Sequence, residues 1–115
     1  MNISVELHQK EPLIINGIIK GEIDAFTAPI LREKLAEIDI KENLQVIIDL
    51  TDVSYMDSTG LGVFVGFYKS INESNSHMEL IGLSSRLKRL FDITGLGEIM
   101  DIQASSGEVK IDETV

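Results

Sequence analysis

Apolar and polar residues alternate at the start of the chain. Ile3, Val5 and Leu7 are separated by Ser4, Glu6 and His8, a period of two that predicts a strand with one face buried and one wet. Gln9-Lys10-Glu11-Pro12 breaks the run, and Leu13-Ile14-Ile15 with Gly17-Ile18-Ile19 predicts a second strand in which Gly17 is a candidate bulge. The short polar connection predicts an antiparallel hairpin. Gly21-Glu22-Ile23-Asp24 ends the second strand. Phe26-Thr27-Ala28-Pro29 then opens a helix, with Thr27 as N-cap and Pro29 in the first turn, where its missing N–H is not needed. Ile30, Leu31, Leu35 and Ile38 form the inward stripe, and residues 39–43 a polar loop. Residues 44–50 are apolar on both faces, which predicts a central strand covered on each side.

A second helix is predicted from Thr59 to near Ser74. At 100° per residue, Leu61, Phe64, Val65, Tyr68 and Ile71 fall within about one third of its circumference and define the core face. This projection puts Val63 on the far side and Phe67 on the flank. A strand at 77–83 follows, then a helix capped by Ser84-Ser85 with Leu87, Leu90 and Phe91 inward, stopped by Gly95. A final strand at 99–102 completes the order β-β-α-β-α-β-α-β, an α/β chain with a mixed sheet, an N-terminal antiparallel hairpin and helices packed on it. The polar, weakly periodic stretch from Ala104 to Val115 predicts a tail, so residues 1–103 form one domain and 104–115 its appendage.

Composition narrows the setting. With 115 residues the chain suits one domain, and at 43% hydrophobic but only 5% aromatic its core must be built from Ile, Leu and Val. No cysteine is present, which removes disulfides and thiolate metal sites. No apolar run approaches the roughly 20 residues of a membrane span. The N-terminus lacks a basic segment followed by an apolar block, so a cytoplasmic protein is expected. Ten basic against 19 acidic residues give a formal charge of -9, which argues against direct nucleic-acid or anionic-membrane binding.

The candidate chemistry concentrates in Met56-Asp57-Ser58-Thr59-Gly60-Leu61-Gly62, where the central strand gives way to the second helix. Ser58 and Gly60 occupy two of the three defining places of a G-x-S-x-G nucleophile elbow, but the first glycine is missing. The only histidines, His8 and His77, lie on an outward strand position and at a loop end. The glycines lack the spacing and lysine of a phosphate loop, since Lys69 lies well inside the helix. Asp49, Asp52 and Asp57 read as turn and cap residues rather than metal ligands. Ser58 therefore remains either an ordinary N-cap or a site of modification, at a helix start whose free amides and dipole accept added negative charge. Gly60, Gly62 and Gly66 each cost about 1 kcal/mol in a helix relative to alanine. Either close packing within the domain or a smooth docking surface bearing Val63 and Phe67 would explain them.

Four blocks together resemble the STAS domains of the anti-sigma factor antagonist family. They are Gly21-Glu22-Ile23-Asp24, Ala28-Pro29-x-Leu31-Arg32, Asp49-Leu50-x-x-Val53-x-x-Met56-Asp57-Ser58-Thr59-Gly60-Leu61-Gly62, and Leu90-Phe91-x-x-Thr94-Gly95-Leu96, spanning about residues 2 to 102. The resemblance implies a STAS-like fold and a partner-switching role in stress-response transcription. The unmodified protein would bind an anti-sigma factor that is also a serine kinase, and so release the sigma factor. Phosphorylation of Ser58 would end that binding, and a PP2C-type phosphatase would restore it. Thr59 is the neighbouring hydroxyl, Asp57 precedes the acceptor, and Asp24 matches a loop acid near it. With the glycine-bearing face, the expected partner-binding set is Asp24, Asp57, Ser58, Thr59, Gly60, Gly62, Val63, Gly66 and Phe67. No catalysis of its own, no cofactor and no metal are implied. A STAS scaffold or ligand-sensing module of a larger stress complex is the alternative.

Overall fold

A computed structural model describes residues 2–104. Strands β1 (Ile3–Glu11) and β2 (Ile14–Ile23) precede helix α1 (Ala28–Leu35), strand β3 (Gln45–Met56) and helix α2 (Ser58–Glu73). Strand β4 (His77–Leu83), helices α3 (Ser85–Ile93) and α4 (Leu96–Ile99) and strand β5 (Asp101–Ala104) follow. The five strands lie in sequence order in one sheet. β1 runs antiparallel to β2, and the remaining neighbours are parallel.

Two element boundaries and one expected bulge differ from what the pattern predicts. The hairpin turns at Pro12-Leu13, because β1 continues through Glu11 over an irregularity between Gln9 and Glu11. Gly17 is no bulge; it pairs in register with Leu7 and with Ile48. Ile99 ends the one-turn helix α4, and the final strand begins at Asp101. The tail expected from residue 104 lies, but for Ala104, outside the described residues.

The larger departure concerns β3. It has 12 residues and alternates half-buried with buried positions as far as Leu50. Val46, Ile48 and Leu50 point into a single core with Ile15, Ile19, Met78 and Leu80 from the neighbouring strands. Leu31, Leu35, Phe64, Ile71, Leu87 and Phe91 close that core from the helices. The opposite face, with Ile47 and Asp49 flanked by Asn16, Ile18, Glu79 and Ile81, is only half-buried. Helices therefore cover one face of the sheet, and the expected cover on both is corrected. The apolar run misleads because isoleucines occupy several open-face positions as well.

β4 pairs with β3 only as far as Asp49↔Ile81. Beyond it the Asp49 carboxylate takes over, accepting from Thr51 N at 2.9 Å and Thr51 Oγ1 at 2.6 Å. Gly82 makes room for this turn: its φ is +74°, and a Cβ there would fall 2.1 Å from Thr51 Oγ1. With β4 gone, β3 continues beside β2 alone, which carries polar Thr51, Asp52 and Ser54 at the surface while still delivering Met56 to the core.

Candidate functional site

β2 and β3 end level, Ile23 opposite Met56. The Asp57 amide donates to Ile23 O at 3.2 Å, so the two exits from the sheet are tied together. Asp57 is extended, at φ -114° and ψ -171°, and its Oδ1 accepts from Thr59 N at 2.9 Å. Its carbonyl accepts the first helical bond from Leu61 N at 3.2 Å. Asp57 is therefore the N-cap and Ser58 the first helical residue, one place later than the cap reading of Ser58. The cap must be extended while its carbonyl already serves the helix, and only Asp57 meets both conditions. Ser58 is exposed, and its hydroxyl has no hydrogen-bond partner among the described residues.

Asp24 sits on the neighbouring exit but is only 6% exposed. Its Oδ1 accepts from Phe26 N at 2.9 Å and Thr27 N at 3.0 Å. Thr27 Oγ1 accepts from Asp24 N at 2.9 Å and donates to Glu22 O at 2.7 Å. Thr27 occupies the N-cap position of α1, yet its side chain makes no cap bond to the helix. Asp24 and Thr27 thus shape a tight loop beside Ser58, and the side chain this loop displays is Phe26, 83% exposed.

The helix glycines divide. Gly60 is packed: a Cβ there would lie 2.7 Å from Ile23 Cγ2 and from Met56 Cγ. Gly62 and Gly66 are exposed, and a Cβ on either would meet nothing within 4 Å. Val63 and Phe67, expected on an outer docking face, are buried at 5% and 8%. The projection assumed one covering surface, whereas α2 packs on the sheet along one arc and against α1 along another. The buried arc is displaced accordingly, leaving Val65 and Tyr68 half-buried. Val63 and Phe67 form part of a hollow of about 270 Å³ between α1 and α2, with Leu35, Ile38, Gly62 and Gly66 around it. Thr59 is exposed beside Ser58, its amide used by Asp57.

Pattern reading missed a set of exposed side chains near the Ser58 turn. Tyr55 is 45% and Ile93 76% exposed. With Met56, Arg86, Leu87 and Arg89 they line a hollow of about 260 Å³ at the end of the sheet. Neither arginine has an ionic partner among the described residues. The available signal was apolar Phe26 in an otherwise polar turn after Asp24, and Tyr55 near the end of β3, two residues before Asp57.

The histidines lie elsewhere. His77 pairs with Gln45 at the start of β3, the end of the sheet opposite Ser58, and sits 2.9 Å from Asp101. His8 is on β1, opposite Asn16. Neither reaches Ser58, so the geometry supports no Ser–His pair. No helix among the described residues is long and apolar enough to cross a membrane.

The STAS domain family model matches residues 7–109. The chain is 51% identical over 109 residues to the anti-sigma-B factor antagonist of Listeria monocytogenes, covering 95% of this chain and 96% of that protein. It is 52% identical over 107 residues to the anti-sigma-B factor antagonist of Bacillus subtilis, covering 92% and 95%. The fold is similar to an anti-sigma factor antagonist from Mycobacterium paratuberculosis, with a TM-score of 0.79 at 19% identity over 96% of this chain and 93% of that one. It is likewise similar to unphosphorylated SpoIIAA, with a TM-score of 0.67 at 18% identity over 96% and 97%.

Proposed function

The chain belongs to the STAS-domain family of anti-sigma factor antagonists, and we propose that it is a partner switch turned off by phosphorylation of Ser58. In this reading the unmodified protein binds an anti-sigma factor that is also a serine kinase, and so frees a sigma factor for stress-response transcription. A PP2C-type phosphatase resets it. The protein acts in the cytoplasm by binding and catalyses nothing itself. The observation that carries this reading is the state of the hydroxyl. Ser58 is exposed and its hydroxyl has no partner among the described residues, because Asp57 has taken over the capping of α2.

A phosphate on Ser58 brings about -1.5 to -2 charges at neutral pH. The helix start tolerates them through its free amides and positive dipole end. A partner seated on Phe26, Tyr55 and Ile93 tolerates them badly, because the dianion stands beside the Asp57 carboxylate in the middle of that surface. The test is intact mass after incubation with ATP and the anti-sigma kinase. One added phosphate mapped to Ser58, removed by the phosphatase, is the expected result. A phosphate elsewhere, or none while the kinase is active on a known substrate, refutes it.

Within this reading the partner contact extends from Asp57, Ser58 and Thr59 along Gly62 and Gly66. Gly62→Ala with Gly66→Ala separates that contact from folding. Each alanine removes up to about 1 kcal/mol of helix cost and meets no neighbour, so the double variant melts higher than the wild type. Its affinity for the kinase, measured by calorimetry, falls about tenfold or more. Higher stability with unchanged affinity would exclude the outer stripe of α2 from the contact.

A further inference from the structure

Helix α3 carries an arginine pair that the fold does not use. At 100° per residue, Arg86, Arg89, Leu90 and Ile93 fall within about 100° of its circumference. This stripe forms one wall of the hollow of about 260 Å³ at the end of the sheet, and Tyr55 and Met56 form part of the other. Arg86 and Arg89 are exposed, and neither has an ionic partner among the described residues. Their neighbour Lys88, by contrast, is paired along the same helix, its Nζ 2.9 Å from Asp92 Oδ2. Like charges one turn apart on a helix repel, so the arginine stripe carries a local cost. Among the described residues no carboxylate lines the hollow. Of the two acids flanking this stretch of β3, Asp52 stands opposite Lys20 of β2, and Asp57 Oδ1 accepts from Thr59 N. Tyr55 and Ile93 are exposed as well, so the hollow joins two free cations to an uncovered apolar floor.

We propose that this hollow receives an acidic segment of the anti-sigma kinase, with one carboxylate on each arginine and an apolar side chain between Tyr55 and Ile93. The proposal rests on the switch reading and adds the chemistry of the partner at that contact. A guanidinium fork matches a carboxylate through two parallel N–H···O bonds. Two such pairs relieve the repulsion between the arginines, and the seated apolar side chain displaces water that would weaken them. Extended polyanions are selected against. The chain carries a formal charge of -9, so a nucleic acid or an anionic membrane reaching these two cations would also meet the surrounding excess of acid. A protein segment presents its two carboxylates here and sets other residues against the rest of the surface. Tyr55 precedes Asp57 by two residues, so one partner reaches both the hollow and Ser58. Because the arginines stand outside the Ser58 turn, they set affinity and leave phosphate transfer itself unchanged.

Calorimetric titration of the full chain with the kinase, at low and at high salt, tests this. Arg86→Glu combined with Arg89→Glu should bind roughly tenfold or more weakly at low salt. Arg86→Lys combined with Arg89→Lys should fall between that variant and wild type, since the charge stays and the fork is lost. Wild-type affinity should drop as salt rises, and that of the glutamate pair should not. The thermal midpoint should change little, because the replaced side chains are exposed. A misfolded variant would instead lose affinity equally at every salt concentration. Equal affinity of wild type and the glutamate pair overturns the proposal, as does a loss that salt does not alter. Equal kinase affinity with slower dephosphorylation also overturns it and assigns the hollow to the phosphatase. In kinase assays the glutamate pair should raise KM and keep kcat, with the phosphate still on Ser58. An unchanged KM with Ser58 phosphorylated removes the α3 contact and leaves the switch standing, whereas no phosphate on wild-type Ser58 removes the switch itself.

Discussion

Ser58→Asp should bind the anti-sigma kinase roughly a hundredfold more weakly than Ser58→Ala, while both variants stay folded. The two halves of this expectation have different origins. Folding is spared because Asp57, not Ser58, caps α2, and because no described residue is bonded to the Ser58 hydroxyl. Replacing an exposed side chain without partners changes stability within about 0.5 kcal/mol. A carboxylate at the first helical position gains about 0.3–1 kcal/mol from the helix dipole, offset by its neighbour Asp57. Binding is not spared, because a contact over Phe26 and Tyr55 must strip water from a charge that stands directly beside the Asp57 carboxylate. Leaving a charge unpaired in a contact costs several kcal/mol, and each 1.4 kcal/mol is tenfold in affinity. Calorimetric titration of both variants with the kinase, beside their melting curves, measures the two halves. Equal affinities would remove Ser58 from the contact, and an unfolded Ser58→Asp would mean that the helix start does not tolerate charge.

Phe64→Ala should lose about 3–5 kcal/mol of stability, the cost of deleting a buried aromatic ring and leaving its cavity. Phe64 has no exposed surface. Its ring stands 6.3 Å from that of Phe91, at 57° between planes. This pair is where α2 and α3 meet above the sheet, so the cavity opens between two helices that are each pinned by their neighbours and cannot collapse far. A domain of this size has about 5–15 kcal/mol in total. At about 4 °C per kcal/mol the thermal midpoint falls by roughly 12–20 °C. Urea midpoints with an unchanged slope would confirm a pure stability loss. A loss below about 1 kcal/mol would mean that α2 and α3 do not share this contact. The proposed site should suffer with the fold, since α2 carries Ser58 at its first residue.

The helices, most strands and the special turn were legible because they depend on neighbours in sequence. The Ser84 cap and the Gly95 stop follow from local chemistry, and the structure has Ser84 Oγ accepting from Leu87 N at 3.2 Å and Gly95 at φ +82°. The Asp-Ser-Thr-Gly turn was legible as a helix start, though the cap fell one residue earlier. What surrounds that turn was not. Asp24 lies beside Asp57 only through the parallel register of β2 and β3. The same sequence cost attached to three glycines hides one that is packed against Ile23 and Met56 and two that face open space.

By itself the sequence determined where the chain turns, which segments coil or extend, and which hydroxyl stands at the mouth of α2. Those outcomes rest on backbone freedom, capping and periodicity within a few residues. Only the tertiary structure decided which arc of α2 is buried and that the sheet is covered on a single face. Val63 and Phe67 face inward because α1 leans on α2, and Ile47 and Ile81 face outward because every helix packs on the other face of the sheet. Burial is a relation between segments distant in sequence, and an apolar side chain carries no mark of which neighbour will cover it.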